Sequence, residues 1–278
     1  MRQGGTDGDG AAGEPRTDTG GATLLLPPRL TDSAATLRDT ARRRGLHTVQ
    51  LPDFTVPHGL RATHLHAGPS FADAVAAPLG IAPLEAPADW LAGLPRDLLR
   101  REIRALPLSE AYALRRPAFV KSPNDKTIRA MAYADGSRLP GPDAVDPDTV
   151  VLVSDIVPFT VEHRLYVLDR QVCTGSRYAE DGLLSPGPLA ADAAAFGADV
   201  LARCGTTLPS AIVLDVGRTE GRWAIIEANA AWASGRYTSD PDLALDTVLR
   251  SAGPEAHLAS RDRPFVRPAG ADRGAVRP

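Results

Sequence analysis

Three oxygen-bearing side chains, Asp215, Glu227 and Asn229, and two lysines ahead of them, Lys121 and Lys126, have types and spacing that point to chemistry. Asp215 follows the apolar run AIVL at 211–214, and Glu227-Ala228-Asn229 follows WAII at 223–226, with the turn residues Thr219-Glu220-Gly221-Arg222 between them. Two strands joined by a tight turn would bring these ends together, and residues two apart on a strand share a face. Two carboxylates and an amide suit a hard cation such as Mg²⁺, which completes its shell with water and phosphate oxygens. A polar strand end in solvent is the competing reading. Lys121 closes the run AFVK and Lys126 follows the turn Ser122-Pro123-Asn124-Asp125. Such a pair reads either as surface decoration or as a phosphate clamp, aided by backbone N–H groups of residues 122–127.

These residues must be held by elements, and the chain supplies them in order. Residues 23–26 read as a strand, Asp32-Ser33 as the cap of a helix ending at Arg42-Arg43-Arg44-Gly45, and 47–51 as a second strand, a β-α-β start. Pro27-Pro28 stands where a glycine-rich dinucleotide loop would be, which excludes that motif. His64 and His66 alternate on a third strand without an evident third metal ligand. Residues 96–106 read as a helix with Leu98, Leu99, Ile103 and Leu106 on one side and Arg96, Arg100, Arg101 and Arg104 on the other.

Further on, residues 126–133 read as a strand returning from the lysine turn, and 149–153 as an apolar strand entering the hinge Ser154-Asp155-Ile156-Val157-Pro158. Glu162 and Arg164 then share one strand face, and Arg177 ends the strand 172–178. Glu162 and Arg164 read equally as an ordinary cross-strand ion pair. A helix over 188–204 precedes the hairpin, and 243–249 begins a closing helix. The loop 230–237 follows Asn229 directly, within a few residues' reach of any phosphate the cation would hold. Ser234, Gly235 and Arg236 could there receive a carboxylate, unless Trp232 makes the loop a packed connection.

The 278 residues are 43% hydrophobic and 23% charged, enough for two or three small domains. A net charge of -3 argues against a general nucleic-acid surface, and Cys173 and Cys204 show neither zinc nor disulfide spacing. No apolar stretch reaches membrane-span length and no secretory core follows the N-terminus, so no membrane partner and a reducing cytoplasm are expected. Residues 1–21, and 256–278 at the other end, read as loose tails.

Taken together, AFVKSPNDK, VLVSDIV, EHRLYV and VLDVGRTEGRWAIIEAN, over roughly residues 115–237, resemble the ATP-grasp superfamily. Two nearby lysines with the ExR pattern are most similar to its divergent clade of small proteins marked by an arginine and two lysines. The resemblance implies a mixed α/β and α+β fold: a Rossmann-like pre-ATP-grasp domain at 22–95, then a two-lobed ATP-grasp module with lobes at 96–157 and 158–255. It also implies roles. Lys121 and Lys126 would contact phosphates, the backbone of Ser154, Asp155, Ile156 and Val157 would hold adenine, and Glu162 would take the ribose hydroxyls. Asp215, Glu227 and Asn229 would hold two Mg²⁺ ions, and the clade arginine would be Arg100 or Arg101, with Arg101 taken as the nucleotide contact. The loop SPNDKT has no glycine, so Lys126 would replace some backbone contacts, and Pro158 offers the adenine no N–H.

The activity this implies is an ATP-dependent carboxylate-amine ligase acting on small molecules, with Lys126, Arg164, Arg177 and Arg236 supplying positive charge during catalysis. A phosphotransferase on the same fold, or a nucleotide-binding module without chemistry, are the alternatives. A homodimer stays open.

Overall fold

The protein is described by a computed structural model over residues 21–268. The tails expected at 1–20 and 269–278 lie outside the described residues.

The chain opens with β1 (Thr23–Leu26), α1 (Asp32–Arg43), β2 (His47–Gln50) and β3 (His64–Leu65), which form a parallel three-stranded sheet in the order β2-β1-β3. Leu24, Leu25 and Leu26 are all fully buried, as a central parallel strand covered on both faces requires. The cap of α1 is Thr31, whose hydroxyl accepts the Ala34 N–H, one residue ahead of the expected Asp32-Ser33. Next come α2 (Pro69–Val75) and β4 (Ile81–Pro83).

The helix expected over 96–106 is broken in two. α3 (Arg96–Leu99) stops at Arg100, which takes a left-handed conformation at φ 55°, and the chain continues as β5 (Ile103–Pro107). Its leucines satisfy a helical period locally, but antiparallel pairing with residues 150–154 decides for a strand. α4 (Leu108–Ala111), β6 (Ala118–Lys121), β7 (Met131–Tyr133) and β8 (Val150–Ser154) complete an antiparallel sheet ordered β5-β8-β6-β7. The returning strand expected from Lys126 begins only at Met131. Ser122 Oγ accepts the Ile128 N–H and Asp125 accepts the Thr127 N–H, so side chains take the backbone groups a ladder would have used.

The second large sheet is built from β9 (Val161–Leu168), β10 (Gln171–Glu180), β11 (Leu183–Pro188), β12 (Ala211–Thr219) and β13 (Arg222–Asn229), in the order β11-β10-β9-β12-β13, with α5 (Ala191–Cys204) between β11 and β12. Asp215, expected at a strand end, sits in mid-β12 because the strand runs four residues further. Alternation packs Leu165, Val167, Ile212 and Leu214 with Val200 and Leu201 of α5. Tyr166 and Val213 face the other way, onto α1 and α6 (Pro241–Ser251). β14 (Ala252–Pro254) then returns to pair with β4.

Residues 256–268 are not the loose tail that composition suggested. They include a 3₁₀ helix at Ser260–Phe265; Asp262 accepts from both the N–H and the hydroxyl of Ser210, and buried Arg267 pairs with Asp73 and Glu85. The stretch is fixed by specific polar partners instead of an apolar stripe, and periodicity cannot reveal that. Among the described residues no helix is long and apolar enough to cross a membrane.

Candidate functional site

The two larger sheets face each other across a cleft, and the polar residues singled out in the sequence meet there. β9 and β12 pair in the register Arg164 opposite Asp215, and β12 and β13 pair with Asp215 opposite Glu227. Cross-strand partners share a face. Arg164 holds Asp215 through a two-bond fork at 2.8 and 2.7 Å, and Asn229 Nδ2 donates to Asp215 at 3.0 Å and to Glu227 at 2.8 Å. From the opposite sheet Lys121 at the end of β6 forms an ion pair with Glu227.

Burial raises the Asp215 carboxyl above its ordinary value, and the Arg164 fork opposes that rise. Burial would also raise Glu227, but Lys121, Asn229 and Arg164 outweigh it and hold this group at about 2. Tyr178 and Tyr237 stack with centroids 5.2 Å apart and flank the Arg164 guanidinium.

Three cavities open along this cleft. The first, about 330 Å³, is lined by the hinge residues Ser154, Asp155, Ile156 and Val157 with Glu162, and by Arg101. Of the expected nucleotide set, Lys121, the hinge residues, Glu162 and Arg101 line this cavity, whereas Lys126 lines the next one. Arg101 is buried and donates to the carbonyls of Leu99, Ile225 and Ile226, whereas Arg100 ends α3. The β12–β13 register shifts just after Asp215, so Ile226 has no ladder partner there, and Arg101 satisfies the carbonyls at this irregularity. Burial lowers Arg101 to about 10, against the pull of Glu227 and Asp155, so it stays charged at neutral pH. Sequence reasoning missed Phe119, Phe159 and Tyr178 in this wall. Tyr178 donates to Glu162 at 2.6 Å, and only the β9–β10 pairing reveals it.

The second cavity, about 430 Å³, shares Lys121 and Glu227 with the first and adds Lys126, Asn229 and the loop 122–126. The third, about 660 Å³, shares Lys126 and Ser234 with the second and adds Gly235 and Arg236. Arg236 donates its backbone N–H to Ser33 Oγ and its Nη1 to the Ser239 carbonyl, at 2.5 and 2.7 Å, while its Nε has no partner. Gly235 C=O accepts from Arg164. The Ser234 hydroxyl already donates to the Ala230 carbonyl, so it can only accept from a ligand, contrary to the expected donor role. Trp232 does pack into the core beside this loop, its Nε1 donating to the Leu84 carbonyl.

Arg177, expected to act in catalysis, is not brought to the cleft. Its register partner is His163, so it lies on the sheet face opposite Arg164. There it bonds Ser185 C=O and pairs with Glu180, and it adds to the burial that holds His163 below its ordinary value.

As a cation site, Asp215, Glu227 and Asn229 offer only hard oxygen donors, which fit Mg²⁺ in type. Among the described residues no group of three or more His, Cys, Asp or Glu is placed to hold a metal, so the amide of Asn229 would have to complete the set. The Lys121 ammonium presently gives Glu227 its counter-charge.

A family model described as ATP-grasp domain, R2K clade family 2, matches residues 98–247. Among solved structures, a RimK domain protein ATP-grasp from Sphaerobacter thermophilus is 16% identical, with a TM-score of 0.47 over 82% of this chain and 99% of that one. D-alanine–D-alanine ligase from Bacillus anthracis is 12% identical, with a TM-score of 0.46 over 83% and 97%. The ATP-grasp ligase PsnB, complexed with a minimal precursor, is 13% identical, with a TM-score of 0.44 over 83% and 98%. No curated protein matches the chain.

Proposed function

The chain belongs to the R2K clade of the ATP-grasp domains, in family 2, and from that premise we propose that it is an ATP- and Mg²⁺-dependent ligase joining a carboxylate to an amine through an acyl phosphate. The observation that carries this reading is the succession of three cavities with shared walls: Lys121 and Glu227 join the first to the second, and Lys126 and Ser234 join the second to the third. That order suits a nucleoside, a polyphosphate and an acceptor lying end to end.

In the first cavity the hinge 154–157 would take the adenine edge, Glu162, oriented by Tyr178, the ribose hydroxyls, and Arg101 would hold the β13 backbone in place beneath them. In the second, Lys121 and Lys126 would neutralise phosphate oxygens. Asp215, Glu227 and Asn229 would hold the metal, which supplies charge neutralisation to the phosphates when bound. A carboxylate oxygen attacks the γ-phosphorus, the bond to ADP breaks, and an acyl phosphate forms. The amine then attacks the carbonyl carbon, inorganic phosphate leaves, and the nitrogen gives up its proton. The chain's contribution is positioning and charge, not covalent chemistry. We further assign residues 22–95 to a Rossmann-like pre-ATP-grasp domain, 96–157 and 158–255 to the two lobes of the module, and the protein to the cytoplasm, with small-molecule substrates.

The test is ADP release by the full chain against a matrix of carboxylates and amines. Release of ADP and inorganic phosphate only when both co-substrates are present is expected. A stable phosphorylated product from a single acceptor would make the protein a phosphotransferase instead.

A further inference from the structure

Tyr178 owes its place in the cleft to an irregularity in β10. Arg177 pairs with His163 and Ala179 with Glu162, which are neighbours on β9, so Tyr178 is the extra residue of a bulge; the ladder to β11 shifts at the same point. Bulges re-aim side chains. Arg177 keeps to the far face of the sheet, while Tyr178 lines the first cavity, where its hydroxyl donates to Oε2 of Glu162 at 2.6 Å. A carboxylate has acceptor sites to spare, so Glu162 can still accept from a ribose.

The same ring stacks on Tyr237, with planes 15° apart. Among the described residues, Tyr237 lines the third cavity and neither of the first two. It takes a left-handed backbone conformation at φ 51°, which a bulky side chain keeps only where its surroundings enforce it. Those surroundings hold the loop on both sides of it. Arg164 lies 5.3 Å from the Tyr237 ring centroid and donates to the Gly235 carbonyl at 3.2 Å, and the Thr238 hydroxyl donates to the Gly187 carbonyl at 2.9 Å. The stack thus reaches the nucleotide cavity through Glu162 and the acceptor cavity through the loop 235–238.

We propose that Tyr178 and Tyr237 are positioning residues that couple the two cavities: a ribose bonded to Glu162 fixes Tyr178, the stack fixes Tyr237, and the nucleotide so orders the acceptor loop before the acceptor arrives. This rests on the ligase reading and deepens it by giving that site an order of binding, nucleotide first. Coupling between sites is reciprocal, so a change at Tyr237 must be felt by a nucleotide it does not touch.

The experiment uses the full chain in MgCl₂ and compares ADP with 2′,3′-dideoxy-ADP, which differ only in the hydroxyls offered to Glu162. Calorimetry reads affinity, and hydrogen exchange followed by mass spectrometry reads the amides of residues 235–239. ADP should slow exchange in that stretch, and dideoxy-ADP should not. Tyr178→Phe, which keeps the ring and removes the donor, should bind ADP about tenfold more weakly, bind dideoxy-ADP as wild type does, and lose the loop response. Tyr237→Ala should show the same selective loss of ADP affinity, whereas Tyr237→Phe, which keeps the stack, should restore it. The double variant of Tyr178→Phe with Tyr237→Ala should be no weaker than the weaker single. Tyrosines that merely support the fold would weaken both nucleotides alike. That result, exchange at 235–239 that ignores ADP, or wild-type ADP affinity in Tyr237→Ala overturns the coupling. Failure of ADP to bind removes the ligase reading, whereas ADP binding without a loop response removes this inference alone.

Discussion

Lys121 at the end of β6 and Glu227 near the end of β13 form an ion pair across the cleft, 106 residues apart in the chain, with side chains 14% and 25% exposed. With Arg164 holding Asp215 beside them, the site carries two cations against two carboxylates and is balanced before any ligand arrives. A polyphosphate that engages Lys121 must therefore release Glu227, and a cation is the natural replacement for the lost ammonium.

Glu227→Gln keeps the volume, removes the charge and frees Lys121. Metal-free ATP should bind this variant more tightly than wild type, by the tenfold or more that corresponds to about 1.5–3 kcal/mol for a charge-assisted contact. Mg²⁺-dependent turnover should fall steeply while the melting curve stays cooperative. Calorimetric titration with ATP, in EDTA and in MgCl₂, checks it. An unchanged Mg²⁺ response would remove Glu227 from the metal site.

The same pair sets an acid limit. The folded carboxyl of Glu227 lies at about 2, below its ordinary value near 4.5, so its contribution is complete above about pH 4.5 and is lost as pH falls towards 2. The shift corresponds to a contribution on the order of 3 kcal/mol. Urea unfolding at a series of pH values should show wild type more stable than Glu227→Gln at pH 7, with the gap closing below about pH 4.5. A gap that does not depend on pH would contradict the pairing.

Arg164 and Asp215 should behave as a unit. Arg164→Met leaves Asp215, 1% exposed, without its fork and should cost about 3–5 kcal/mol, as should Asp215→Leu. The double variant should lose clearly less than the sum of the singles. Additive losses in a double-mutant cycle by urea unfolding would show that the fork carries little coupling energy.

Gly217 lies opposite Glu162 on β12, and a Cβ there would meet Phe159 at 2.6 Å and Ile226 at 2.8 Å. Gly217→Ala should push Phe159 into the 330 Å³ cavity and weaken nucleotide binding about tenfold, with about 1–3 kcal/mol lost from overpacking. Fluorescent-nucleotide titration reads the first effect and thermal melting the second. Wild-type nucleotide affinity would mean that Phe159 moves away from the cavity instead.

Residue types and short-range pattern alone gave the hairpin of β12 and β13, the lysines at a turn, the hinge at 154–157 and the β-α-β start. Each of these is written in neighbouring residues through strand alternation, turn chemistry or a cap, and so is readable locally. The ATP-grasp resemblance was legible for the same reason, since its motifs are short segments in a fixed order. What needed the tertiary structure was every choice between locally equivalent options. Arg164 and Arg177 are both strand arginines, and only the register that sets Arg164 opposite Asp215 and Arg177 opposite His163 decides which one faces the cleft. Arg100 and Arg101 differ only by the break after α3, which exists because residues 103–107 pair with β8. The closing segment through Arg267 looked structureless because its partners, Asp73, Glu85 and Ser210, are distant in sequence. Local sequence fixes which side chains can do chemistry; long-range pairing and register, whose energy comes from contacts between segments far apart in the chain, decide which of them meet.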